Sequence, residues 1–69
     1  MDKALHLPYL GRIIPEDVIE QIFYWVSDDD PFIRVSYTLR FKNRPAAWDL
    51  DIEDDDDVAA VTAWLEARS

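Results

Sequence analysis

Sixty-nine residues are enough for one domain, spanning 1–69, and a chain of this size buries only about 60% of the surface it exposes when unfolded. With no cysteine and one histidine, His6, neither disulfides nor a conventional structural zinc site can supplement the core. A net charge of −8 and a pI near 4.2 argue against direct binding to DNA, RNA or anionic membrane, which proteins hold by setting Lys and Arg against phosphates.

Residues 1–14, with Pro8 and Gly11, read as irregular chain or a short edge strand. The first residues show no basic stretch leading into an apolar one, and no segment approaches membrane-span length. The expectation is a soluble, cytoplasmic protein. Pro15-Glu16-Asp17 looks like a helix start, and Val18, Ile22 and Val26 recur at four-residue steps, which favours a helix from Pro15 to about Val26. The competing reading is a strand, because Ile22-Phe23-Tyr24-Trp25-Val26 is rich in strand formers and runs into the turn cluster Ser27-Asp28-Asp29-Asp30-Pro31. In that case the sheet becomes a three-stranded meander.

Ile33 to Lys42 alternates apolar and polar residues without a break, the signature of a half-buried strand. Alternation resumes from Ala46 to Glu53, so residues 33–52 read as an antiparallel hairpin around a loop from Asn43 to Ala46. Matching the apolar faces sets Phe41 opposite Trp48, Leu39 opposite Leu50 and Tyr37 opposite Ile52, with Arg40 opposite Asp49 on the other face. From Val58 the spacing turns helical, with Val58, Val61 and Leu65 on one stripe, Trp64 beside it, and Asp56 or Asp57 ready as N-cap. The aromatics Tyr24, Trp25, Trp48 and Trp64 read first as core, with one of them available as an interface anchor. The expected fold is α+β: a small antiparallel sheet of two or three strands built on the 33–52 hairpin, with an N-terminal and a C-terminal helix packed on it.

Charge is distributed unevenly along this scaffold. Residues 1–45 hold seven acids and six bases, or −1, whereas residues 46–69 hold eight acids and one base, or −7. Asp49, Asp51 and Glu53 to Asp57 form a tract without a base. Aligned to a calcium loop, the tract places Asp54 where glycine is needed and Ala60 where the bidentate acid belongs, so the EF-hand reading fails and no metal or other cofactor is expected. Acids strung along an exposed edge form no pocket to split their pKa values, and the chain offers no evident nucleophile–base pair or phosphate loop. A non-catalytic role follows. One or two acids suit a helix cap, but neighbouring like charges about 6 Å apart repel by about 0.7 kcal/mol even in water. The remainder point to solubility or to binding a strongly basic surface, through Asp28, Asp29, Asp30, Asp49, Asp51, Glu53, Asp54, Asp55, Asp56 and Asp57.

In size, charge and the placing of these acids, the chain resembles the small, acidic, cysteine-free proteins that mimic nucleic-acid charge, among them phage anti-CRISPR proteins. The resemblance implies a monomeric or homodimeric inhibitor, in the host cell cytoplasm if phage-encoded, occupying the basic groove of a CRISPR effector, nuclease or similar nucleic-acid-binding protein. An immunity protein or antitoxin neutralising a basic nuclease toxin has the same electrostatics. An acidic accessory subunit binding through an apolar face is the third reading.

Overall fold

The computed structural model describes residues 3–29 and 31–68, with Asp29 described in its backbone alone. Strands β1 (Leu5–Leu7) and β2 (Arg12–Ile14) are followed by a 3-10 turn at Glu16–Val18 and by β3 (Ile19–Asp29) and β4 (Phe32–Phe41). A second 3-10 turn at Ala46–Trp48, β5 (Leu50–Ile52) and helix α1 (Asp55–Arg68) complete the chain. The strands make two antiparallel sheets, β1-β2 and β3-β4-β5.

The expected N-terminal helix is therefore wrong, and with it the layout of two helices on one sheet. Pro15 opens only a single 3-10 turn, after which the chain runs extended for eleven residues. Ile22, Tyr24 and Val26 satisfy a two-residue period as well as Ile22 and Val26 satisfy a four-residue one. The β-branched and aromatic content, which packs best on a pleated surface, decides between them. Residues 1–14, expected to be irregular or a short edge strand, instead contain a hairpin of their own from Leu5 to Ile14. Its turn is closed by the Gly11 amide donating to the Leu7 carbonyl at 2.8 Å, with Gly11 at φ 64°, where a side chain is strained.

Strands β4 and β5 pair as Tyr37↔Ile52, Thr38↔Asp51 and Leu39↔Leu50. The pairing stops there, and Phe41 does not face Trp48. The second alternating stretch is broken at its start because Pro45 leads into the 3-10 turn, in which the Trp48 amide donates to the Pro45 carbonyl at 2.9 Å. Trp48 is 61% exposed as a result, and Arg44 lies over its ring at 5.5 Å.

The core joins both sheets to the helix. Leu5 and Leu7 of β1, Ile14 of β2, Tyr37 and Leu39 of β4, Ile52 of β5 and Val61 of α1 are buried together, and α1 packs against both β1 and β4. Thr62 gives its hydroxyl proton to the Val58 carbonyl at 2.9 Å, so the Tyr37 hydroxyl is the donor in the 2.8 Å bond to Thr62 Oγ1. At the far end of α1, Trp64 Nε1 donates to the Lys3 carbonyl at 3.1 Å, while Arg68 covers the Trp64 ring and pairs with Glu16. Of the expected core aromatics Trp64 is half-buried, whereas Tyr24 and Trp25 are exposed. Among the described residues no helix is long and apolar enough to cross a membrane.

Candidate functional site

The described acids do not all lie on one exposed surface, and the reason lies in where the chain places each of them. Asp57 is buried, 1% exposed. Its carboxylate accepts hydrogen bonds from the Tyr9 amide at 2.8 Å and the Leu10 amide at 3.3 Å, pinning the tip of the β1-β2 hairpin to the first turn of α1. There it also lies near the positive end of the helix dipole. Asp54 is the helix N-cap: its Oδ1 accepts from the Asp56 amide at 2.9 Å, and its carbonyl takes the first helical bond from Val58 at 2.8 Å. The cap thus falls two or three residues before the positions expected from the sequence, Asp56 or Asp57, and Asp57 is buried in the fold rather than exposed to solvent. We expect Asp54→Ala to cost about 1 kcal/mol, and Asp54→Asn far less, because asparagine caps equally well; urea denaturation of both variants checks this.

Asp49 and Asp51 lie on the outer face of the three-stranded sheet, engaged with β4. Arg40 donates to Asp49 from Nη2 at 3.1 Å and from Nε at 3.4 Å and sits 4.9 Å over the Phe23 ring. The hydrogen bond from the guanidinium to Asp49, and then the charge of Asp49, raise the Arg40 pKa above its ordinary value. One pair along, Trp25 Nε1 donates to Thr38 Oγ1 at 2.9 Å, and Thr38 donates on to Asp51 Oδ1 at 3.1 Å. These two acids are neutralised or hydrogen-bonded across the sheet and do not belong to a common patch with Glu53–Asp57.

Glu53, Asp55 and Asp56 remain, with exposed side chains that make no hydrogen bond or ion pair among the described residues. Asp28 is also exposed, near the tip of the β3-β4 ribbon, opposite Ile33. The side chain of Asp29 and all of Asp30 lie outside what the structure describes.

Sequence reasoning missed the apolar neighbour of these acids. On the core face of β4, exposure rises from Leu39 and Tyr37, which are buried, through half-buried Val35 to Ile33 at 70%. The cause is topological: β5 pairs with β4 only from Tyr37 to Leu39, so the ribbon beyond them projects as a two-stranded arm. Tyr24 and Val26 line the same face of the arm, opposite Tyr37 and Val35, and are more than half exposed. An open groove separates the arm from the start of α1, with Ile33 and Val35 on one wall and Glu53, Asp54, Asp55 and Val58 on the other; Arg34 is the base at its edge. Apolar side chains facing the unpaired Glu53 and Asp55 across a groove mark an interaction surface more specifically than either feature alone. The available signal was that Ile33 and Val35 continue the alternation of β4 past Tyr37, where the pairing with β5 ends.

Among the described residues no group of three or more His, Asp or Glu is arranged to hold a metal ion. No protein-family model matches the chain, and neither a curated protein nor a solved structure matches it significantly.

Proposed function

We propose that this protein is a non-catalytic inhibitor of a nucleic-acid-handling protein, inserting its arm into a basic groove that otherwise holds DNA or RNA. The observation that supports this reading is that exposed Ile33 and half-buried Val35 face Glu53 and Asp55 across one groove. Acids beside a basic surface accelerate encounter and select the partner, while desolvated apolar side chains supply most of the affinity. A CRISPR effector or a nuclease offers such a surface. The working residues are fewer than the sequence suggests, since Asp49, Asp51, Asp54 and Asp57 are engaged within the fold.

The test is capture of partners by tagged protein from a bacterial lysate, beside the Glu53→Gln/Asp55→Asn double variant, which leaves the cap and the buried acid intact. Capture should fall in the double variant and on raising salt from about 0.1 to about 0.3 M, and a DNA oligonucleotide should displace the captured protein. Capture that resists salt, charge removal and DNA but is lost with Ile33→Ser contradicts this reading and favours the acidic accessory subunit, whose supporting observation is the exposed apolar arm itself.

A further inference from the structure

Strand β3 ends its sheet, and no described strand pairs with its outer side. In an antiparallel ladder, successive residues turn their N–H and C=O alternately to either side. The Lys42 amide donates to the Val18 carbonyl at 2.9 Å, so even-numbered positions along the uninterrupted β4 direct their backbone groups to β3. Their partners Gln21, Phe23, Trp25 and Ser27 hold the inner bonds. The backbone groups of Ile22, Tyr24, Val26 and Asp28 therefore point to the free edge.

Natural edges are blunted by lysine, proline, bulges or shortness. The irregularity between Ile19 and Gln21 protects the beginning of β3, but Ile22 to Val26 contains no proline, glycine or charge. Side chains on both faces of this stretch are exposed, Tyr24 and Val26 on one and Trp25 on the other.

We propose that the β3 edge accepts an extended, lysine- or arginine-bearing segment of a protein partner as a fourth strand. This rests on the reading above only for the positive charge of the partner. Charge selects the occupant: β3 carries Glu20, Asp28 and Asp29 and no base, within a chain of net charge −8. A second copy pairing antiparallel about Tyr24 would set Glu20 near Asp28 of the second copy at both ends, and like charges placed opposite one another destabilise a ladder. A segment with bases toward its ends and apolar residues between them instead meets Glu20 and Asp28 and covers Tyr24, Val26 and Trp25. Main-chain hydrogen bonds then give affinity and alternate side chains give selectivity.

The probe is a peptide of about nine residues alternating lysine and valine, added to the isotope-labelled full chain while amide hydrogen exchange is followed by NMR. Exchange at Ile22, Tyr24, Val26 and Asp28 should slow by about tenfold or more, with little change at Phe23 and Trp25, whose amides are already bonded. A peptide with glutamate in place of lysine should give no slowing. Val26→Pro removes one outward N–H and no ladder bond; with its circular dichroism unchanged, it should lose the peptide. Slowing confined to Glu53–Asp55 overturns the edge proposal and leaves the groove reading standing. Edge protection that grows with protein concentration in the absence of peptide overturns the choice of occupant in favour of a second copy, and no slowing at any amide overturns the proposal outright.

Discussion

Replacing Asp57 by alanine is expected to destabilise the protein by about 3 kcal/mol, counting about 2 for the shorter charged hydrogen bond and about 1 for the longer one. A domain of this size draws only about 3 to 5 kcal/mol from its core, so the variant should retain at most about 2 kcal/mol and unfold at much lower urea than the parent. The loss is large because both partners are backbone amides. Removing the carboxylate leaves the Tyr9 and Leu10 N–H groups unpaired beside the helix, and the β1-β2 hairpin, which supplies Leu5, Leu7 and Ile14 to the core, loses its tie to α1. Asp57→Asn retains one acceptor oxygen and should lose about half as much. Urea midpoints measure the energies, and faster exchange of the Tyr9 and Leu10 amides in the asparagine variant would locate the effect.

Leu39→Ala should cost at least as much, about 3 to 4 kcal/mol, from lost apolar burial plus the cavity left behind. Leu39 is completely buried, pairs across its strand neighbours with Ile22 and Leu50, and shares the core with Ile52 and Val61. Ile33 lies on the same face of the same strand, six residues away, and is largely exposed. Its replacement by alanine should change stability by less than about 0.5 kcal/mol. The contrast bears on the proposed function, because an exposed apolar side chain that contributes little to the fold is free to contact a partner. Equal losses for Leu39→Ala and Ile33→Ala in equilibrium denaturation would mean that the arm packs into the core, and would remove the apolar half of the candidate site.

Legibility from sequence followed the uniqueness of each pattern. The β4 strand was readable because its ten-residue alternation fits no other period, and the pairs Leu39↔Leu50 and Tyr37↔Ile52 follow once two apolar faces must coincide. Strand β3 was ambiguous because its apolar residues satisfy two periods at once. The β1-β2 hairpin was hidden by strands of three residues, too short to display a period. Trp48 had the right parity for β5, but the turn following Pro45 moves it out of the sheet.

Within the acidic tract, composition cannot tell four adjacent aspartates apart; helix phase can. Asp57 precedes Val61 by four residues, so it lies on the buried stripe one turn before it. Asp55 and Asp56 fall outside that stripe and remain in solvent. The charge run is a cap and an anchor with an exposed rim between them.

The most direct test is the urea midpoint of four single variants, Asp54→Asn, Asp55→Asn, Asp56→Asn and Asp57→Asn, measured in one buffer. Asp57→Asn should fall well below the parent, with Asp54→Asn close to it and Asp55→Asn and Asp56→Asn level with it or slightly above, as like-charge repulsion is relieved. Four equal midpoints, or a rise for Asp57→Asn, would contradict the division of this tract into acids that hold the fold and acids left free to bind.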